Sequence, residues 1–109
     1  MGEMATVKET LKRIVASIQN NVAVQKIYLF GSYSDDTYTD DSDLDLCIIT
    51  SLDGTRKIDV LRQIRKAILH DVDMPVDLLV YDQDEFEQRS SLTTTMEHKI
   101  ARDGVLLHG

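Results

Sequence analysis

The sequence lacks residues on which several classes of protein depend. Its 109 residues include one cysteine, Cys47, one proline and no tryptophan. A single cysteine excludes an intramolecular disulfide framework and a zinc site built from cysteines. No apolar run approaches the roughly 20 residues that span a bilayer, and the first ten residues do not form a signal-peptide pattern. We therefore expect a cytoplasmic protein that does not enter a membrane.

Positive charge is also scarce. Lysine and arginine number 12 against 19 acidic residues, which gives a net charge of −7. This balance argues against direct binding of nucleic acid by a basic surface. Hydrophobic residues make up 42% of the chain, enough for one packed core at this length. We expect residues 1–109 to form a single domain.

The negative charge is concentrated in one segment. Six aspartates and no lysine or arginine lie within residues 35–45, and without these six the chain would carry 13 acidic and 12 basic residues. Such crowding is unfavourable unless water, hydrogen bonds or a cation relieves it. A solvated acidic loop and a cation site are both open at this point. The six are Asp35, Asp36, Asp40, Asp41, Asp43 and Asp45.

Hydrophobic periodicity predicts alternating helices and strands. Apolar residues at helical spacing predict helices at 6–20 and 55–70, and short β-branched or alternating runs predict strands at 26–30, 43–49 and 76–81. A helix between the second and third strands permits a parallel crossover. The sequence therefore predicts an α/β (α+β) domain with helices packed on a small mixed β-sheet. The predicted apolar stripe of the second helix is Ile58, Leu61, Ile64 and Ile68.

The end of the chain predicts one more helix and a short strand. Leu92, Met96 and Ile100 recur at helical spacing and are interpreted as a core stripe rather than a cofactor site. Gly104 is expected to stop this helix, and the apolar residues 105–107 are expected to form a closing strand.

An Asp-x-Asp pair begins the second strand. Asp43 and Asp45 are two residues apart, so their side chains leave the same face of a strand, opposite Leu44 and Leu46. Paired carboxylates on a rigid strand suit Mg²⁺, which prefers oxygen ligands. The alternative is an edge strand protected by charged side chains.

Two further features lie on neighbouring predicted elements. Asp77 interrupts an apolar strand, which is unfavourable unless the carboxylate is exposed at the strand end or bound to something; the alternative is a capping or turn-forming aspartate near the start of a strand. If its strand neighbours that of Asp43 and Asp45, three carboxylates converge and could hold two cations. Gly31 and Ser32 follow the first strand and would let the backbone approach an anion, although most Gly-Ser pairs are simple turns.

Together these motifs carry a family resemblance. Tyr28-Leu29-Phe30-Gly31-Ser32, a spacer, Ser42-Asp43-Leu44-Asp45-Leu46 and a third acid in Val76-Asp77-Leu78-Leu79 resemble the nucleotidyltransferase fold of the DNA polymerase β superfamily. Among its members the chain is most similar to the minimal nucleotidyltransferases (MNT-type), and residues 97–107 resemble the helix, glycine and apolar ending of that group.

The resemblance implies a role for each matched residue. Gly31 and Ser32 would bind the β- and γ-phosphates of a nucleoside triphosphate, with ATP expected. Asp43, Asp45 and Asp77 would hold two Mg²⁺ ions (Mn²⁺ being a possible substitute) and would be the catalytic carboxylates, with Asp77 also helping to deprotonate the attacking hydroxyl. An NMP, expected to be AMP, would be transferred with release of pyrophosphate.

The resemblance also implies a partner. MNT-type relatives are paired with HEPN-type toxins and act as antitoxins, some by adenylylating the toxin, so a partner protein is the expected acceptor, in a homo- or hetero-oligomer. Many relatives carry arginine and a second glycine after Gly-Ser, where residues 33–36 here read Tyr-Ser-Asp-Asp. The alternative function is therefore a binding module that neutralises its partner by complex formation, with weak or no catalysis. No role is assigned to Asp35, Asp36, Asp40 or Asp41.

Overall fold

The structure, a computed structural model, describes residues 3–31, 43–72 and 74–109. In these ranges the chain forms four helices, and none of them is long and apolar enough to cross a membrane. The helices are α1 (Glu3–Asn21), α2 (Lys57–Ile68), α3 (Gln83–Ser90) and α4 (Met96–Asp103).

The described strands form one four-stranded sheet in the order β3-β2-β1-β4. Strand β1 is antiparallel to both β2 and β4, whereas β2 and β3 are parallel. Helix α2 supplies the crossover that a parallel pair requires. The predicted mixed sheet with helices packed against it is therefore confirmed. The strands are β1 (Val24–Phe30), β2 (Leu44–Thr50), β3 (Val76–Asp82) and β4 (Val105–His108).

Helices cover both faces of this sheet. Alternation along β2 sends Leu44, Leu46 and Ile48 into a core shared with α1 and α2. Asp45, Cys47 and Ile49 take the other face, where Cys47 and Ile49 pack with residues of α3 and α4. Strand β2 thus supplies core residues to both layers. The carboxylate of Asp45 lies on the face that α3 and α4 cover, at the start of the strand.

The predicted apolar stripe of α2 is partly wrong. Ile64 and Ile68 are buried as expected, but Ile58 is 44% exposed and Val60 is buried in its place. Ile58 lies in the first turn, one residue after the helix begins at Lys57, where the stripe does not yet face the sheet.

The end of the chain differs more from its prediction. Helix α3 was not expected, because its only buried apolar residue is Phe86 and one residue gives no periodicity. Leu92 precedes α4 and is 57% exposed, and Met96 is 49% exposed, so the expected core stripe is reduced to Ile100. Gly104 ends α4 as predicted, with its N–H donating to the carbonyl of Ile100 at 2.8 Å.

Candidate active site

Four of the five predicted site residues lie at one end of the sheet. Gly31 follows the last residue of β1, Asp43 precedes β2, and Asp45 and Asp77 are the second residues of β2 and β3. Because β1 runs antiparallel to β2 while β3 runs parallel to it, the end of β1 and the starts of β2 and β3 share this edge. Ser32 lies outside the described residues, as do Asp35, Asp36, Asp40 and Asp41.

Asp45 and Asp77 are directly opposite each other. The parallel register pairs their Cα atoms, so both side chains leave the same face of the sheet on strands about 4.8 Å apart. Asp45 is half-buried and Asp77 is exposed. The strands of Asp45 and Asp77 are therefore neighbours, which is the condition that the sequence set for these acids to converge.

The electrostatics of Asp45 reflect this crowding. Burial raises the pKa of its carboxyl group above the ordinary value, and the negative charge of Asp77, a side-chain hydrogen bond with Asp77 and the charge of Asp43 raise the pKa further. All four influences disfavour the ionised form. A cation at this position would relieve the repulsion between these carboxylates.

Gly31 is fitted closely against Asp45. Its φ is +76°, in the left-handed region that favours glycine. A Cβ built on Gly31 would lie 2.3 Å from Oδ2 of Asp45. Gly31 and the carboxylate of Asp45 are therefore in close contact, and a side chain at position 31 would displace the acid.

The donors present suit a cation that brings other ligands with it. Within the described ranges, no three His, Cys, Asp or Glu side chains form a cluster that could hold a metal ion unaided. Mg²⁺ is usually held by one or two carboxylates together with water and substrate phosphates. The opposed pair Asp45 and Asp77, with Asp43 nearby, fits that mode of binding better than a site made wholly of protein ligands.

A cavity of about 320 Å³ opens beside this site, and sequence reasoning did not find it. Of the predicted site residues that the structure describes, Gly31 alone lines this cavity. Helix α4 forms one wall, and periodicity had assigned Met96 of that helix to the core. Its lining residues are Phe30, Gly31, Met96, Lys99, Ile100, Asp103 and Gly104.

Helix α4 is fixed by a buried acid. Glu97 is 5% exposed and accepts hydrogen bonds from the hydroxyl of Tyr81 at 3.2 Å and from Nε of Arg89 at 2.9 Å. Burial and the Glu97 charge raise the pKa of Tyr81 to about 12. These contacts hold α4, and with it one wall of the cavity, against β3 and α3.

A second cavity, of about 330 Å³, contains none of the predicted site residues. It lies between α1 and β4, on the opposite side of the sheet from Asp45. Its lining residues are Lys8, Leu11, Lys12, Val15, Ala16, Gln19 and Leu107.

Comparisons with known proteins identify the family to which this fold belongs. A family model described as a nucleotidyltransferase domain matches residues 8–102. No curated protein matches the sequence.

Several solved structures share this fold. A Sulfolobus solfataricus protein assigned to the nucleotidyltransferases aligns with a TM-score of 0.58 and 21% identity over 92% of this chain and 79% of that one. A chain of a toxin-antitoxin with AMP-PNP aligns at 0.53 and 25% identity over 91% and 73%. A chain of a mutant of the toxin-antitoxin MntA-HpeT aligns at 0.50 and 22% identity over 91% and 72%. The chain belongs to the nucleotidyltransferase domain family, as its sequence motifs predicted, and it shares its fold with a chain of a toxin-antitoxin.

Proposed function

We infer that this chain is a Mg²⁺-dependent nucleotidyltransferase that transfers AMP from ATP to a hydroxyl group of a partner toxin of the HEPN type, and so acts as an antitoxin. The observation that carries the inference is the placement of Asp77 opposite Asp45, with Gly31 in contact with the same carboxylate. In this proposal residues 1–109 act as a single nucleotidyltransferase domain.

Each predicted residue then has a task. Gly31 and Ser32 bind the β- and γ-phosphates, while Asp43, Asp45 and Asp77 hold the metal ions. When bound, two Mg²⁺ or Mn²⁺ ions would neutralise phosphate charge and align the reacting groups. As Lewis acids they would stabilise the transition state by an amount on the order of several kcal/mol.

The transfer forms one bond and breaks one. The acceptor hydroxyl oxygen bonds to the α-phosphorus while the bond from that phosphorus to the pyrophosphate oxygen breaks. The hydroxyl proton passes to the carboxylate of Asp77, which is exposed and faces the site. Pyrophosphate leaves with the electron pair of the broken bond.

A protein acceptor is supported by the solved neighbours. The structure at 25% identity is a toxin-antitoxin with AMP-PNP, a nonhydrolysable ATP analogue. That observation concerns the neighbour, and it motivates ATP and a toxin as the substrates proposed for this chain.

A second function is a binding module that neutralises the partner without catalysis. One observation favours it: residues 33–36 lack the arginine and glycine that the family resemblance leads us to expect after Gly-Ser. Asp35 and Asp36 would repel a triphosphate if they faced it.

The test is label transfer from α-labelled ATP in the presence of Mg²⁺ and the protein encoded beside this one. We expect the partner to be labelled, and labelling to fall more than about 100-fold in Asp43→Asn and Asp77→Asn, because each removes a charge that holds the metal. Asp84→Asn is the matched control, since Asp84 is exposed in the first turn of α3, away from the site.

Neutralisation of the partner separates the two functions. An enzyme requires that both aspartate variants lose neutralisation together with labelling. If no label moves, and Asp43→Asn and Asp77→Asn neutralise the partner at the wild-type dose, the chain is a binding module.

A further inference from the structure

The cavity beside Gly31 has walls unlike those of a phosphate site. Phe30, Met96 and Ile100 line it with a ring, a thioether and a branched alkyl group. Met96 is 49% exposed at its rim, whereas Ile100 is 2% exposed at its base. Loss of hydration against such walls is unfavourable for a charged phosphate, whereas a flat aromatic group packs against them favourably.

The cavity adjoins the candidate active site through Phe30 and Gly31. Phe30 is the antiparallel partner of Asp45, so the two side chains leave the same face of the sheet side by side. Gly31 lines the cavity and also contacts Asp45. Across this edge of the sheet the order is therefore Asp77, Asp45, Phe30 and then the cavity below α4.

The charges at the cavity favour an anionic neighbour. Among the described residues no carboxylate lies within ion-pair distance of the Lys99 ammonium. Asp103 also lines the cavity, but Arg102 donates to it at 2.8 Å, and this hydrogen bond holds the pKa of Asp103 below its usual range. The charge of Lys99 also acts on Asp103, but Arg102 and Lys99 together outweigh this single carboxylate, so the helix wall keeps a net positive charge that attracts phosphate.

We propose that this cavity binds the nucleobase of the triphosphate, with Phe30 and Met96 against the base and Lys99 facing its phosphates. The proposal rests on the proposed function and names where the nucleoside part of the substrate lies. The volume is at the lower end of the roughly 300–1,000 Å³ range of ligand pockets, which suits one part of a nucleotide rather than the whole.

The test compares ATP with inorganic triphosphate, which has no base. Binding of each is measured by calorimetry with Mg²⁺ for the wild type, Met96→Trp and Leu92→Trp. Tryptophan at position 96 would fill the mouth of the cavity, whereas Leu92 is exposed outside it and serves as the matched control. Both positions are exposed, so neither substitution disturbs the core.

The wild type should bind ATP about tenfold more tightly than triphosphate, the size of a single base-stacking contact. Met96→Trp should reduce ATP affinity about tenfold with triphosphate unchanged, and Leu92→Trp should change neither. Lys99→Gln should weaken both ligands, whereas Lys66→Gln on the exposed side of α2 should weaken neither.

Other results would overturn the proposal. If the wild type bound ATP and triphosphate equally well, the base would contribute nothing to binding. The proposal would then be overturned whatever the variants show. Unchanged ATP binding in Met96→Trp, together with reduced transfer to the partner, would assign the cavity to the acceptor. A wild type that binds neither ligand would contradict the proposed function itself, so the two failures are distinct.

Discussion

Asp45 and Asp77 form a pair of like charges across two parallel strands, on the face of the sheet that α3 and α4 cover. Such a pair is unfavourable in a sheet when both groups are ionised. Burial and the charge of Asp77 both raise the pKa of Asp45. The like-charged pair at the start of β2 therefore lowers the stability of the fold, which is common at sites that bind charged ligands.

Removal of one charge should stabilise the metal-free protein. In chelator at pH 7, Asp77→Asn should raise the free energy of unfolding by about 0.2–1 kcal/mol, since it replaces a like-charged cross-strand neighbour with a neutral one. The measurement is urea denaturation of the wild type, Asp77→Asn and the control Asp84→Asn.

The pH dependence has a defined sign. The folded pKa of Asp45 is raised, so between its unfolded and folded values the native state binds more protons, and stability falls as pH rises through that window. The advantage of Asp77→Asn should shrink toward zero below the unfolded pKa of about 3.9. An Asp77→Asn variant less stable than wild type at pH 7 in chelator would contradict this account.

A divalent cation should reverse the penalty. Mg²⁺ or Mn²⁺ with a nonhydrolysable ATP analogue should raise the melting temperature of the wild type, with a gain of about 2.7 kcal/mol at 100 times the Kd. The shift should disappear in Asp45→Asn, which lacks the central carboxylate. A wild type whose melting is indifferent to both cations would count heavily against the site.

Gly31→Ala should disturb both the fold and the site. The left-handed φ of Gly31 costs an alanine about 1–2 kcal/mol, and the new Cβ would displace the Asp45 carboxylate. Gly54 is the matched control, because its φ is +86° and nothing lies within 4 Å of its Cβ. Both variants should be less stable in chemical denaturation, but only Gly31→Ala should lose the stabilisation by cations. If Gly54→Ala lost the cation-dependent stabilisation to the same extent, the contact between Gly31 and Asp45 would be refuted.

Two isoleucines of α2 test the core. Ile64 is fully buried, so Ile64→Ala should lower the free energy of unfolding by about 2–5 kcal/mol. Ile58 is 44% exposed, and Ile58→Ala should change the free energy of unfolding by less than about 0.5 kcal/mol. Chemical denaturation of the two variants measures the difference, and similar losses would mean that α2 is rotated from the position described.

Cys47 should be unreactive in the folded protein. It is fully buried, and burial followed by the nearby Glu97 charge raises the pKa of its thiol to about 12. Since the thiolate is the reactive form, a thiol reagent at pH 8 should modify Cys47 only after denaturant is added, when one thiol per chain reacts. Rapid modification without denaturant would show that β2 is accessible.

The success of the sequence predictions follows the strength of the local pattern. Strands β1, β2 and β3 were found because β-branched or alternating residues mark them, and α1 and α2 because long apolar stripes do. Helix α3 was missed because it buries only Phe86. Met96 was assigned to the core because periodicity records that residues share a face, not whether anything covers that face.

The sequence by itself determined the chemistry available at the site. It supplied Gly31 after a strand and the acids Asp43, Asp45 and Asp77 on two others, and alternation put Asp43 and Asp45 on one face. Only the tertiary structure decided that β2 and β3 are neighbours in a register that opposes Asp45 and Asp77, and that α4 leaves a cavity beside Gly31. The physical reason is that strand pairing and helix packing join residues distant in the chain, whereas periodicity reports only the burial of each segment by itself.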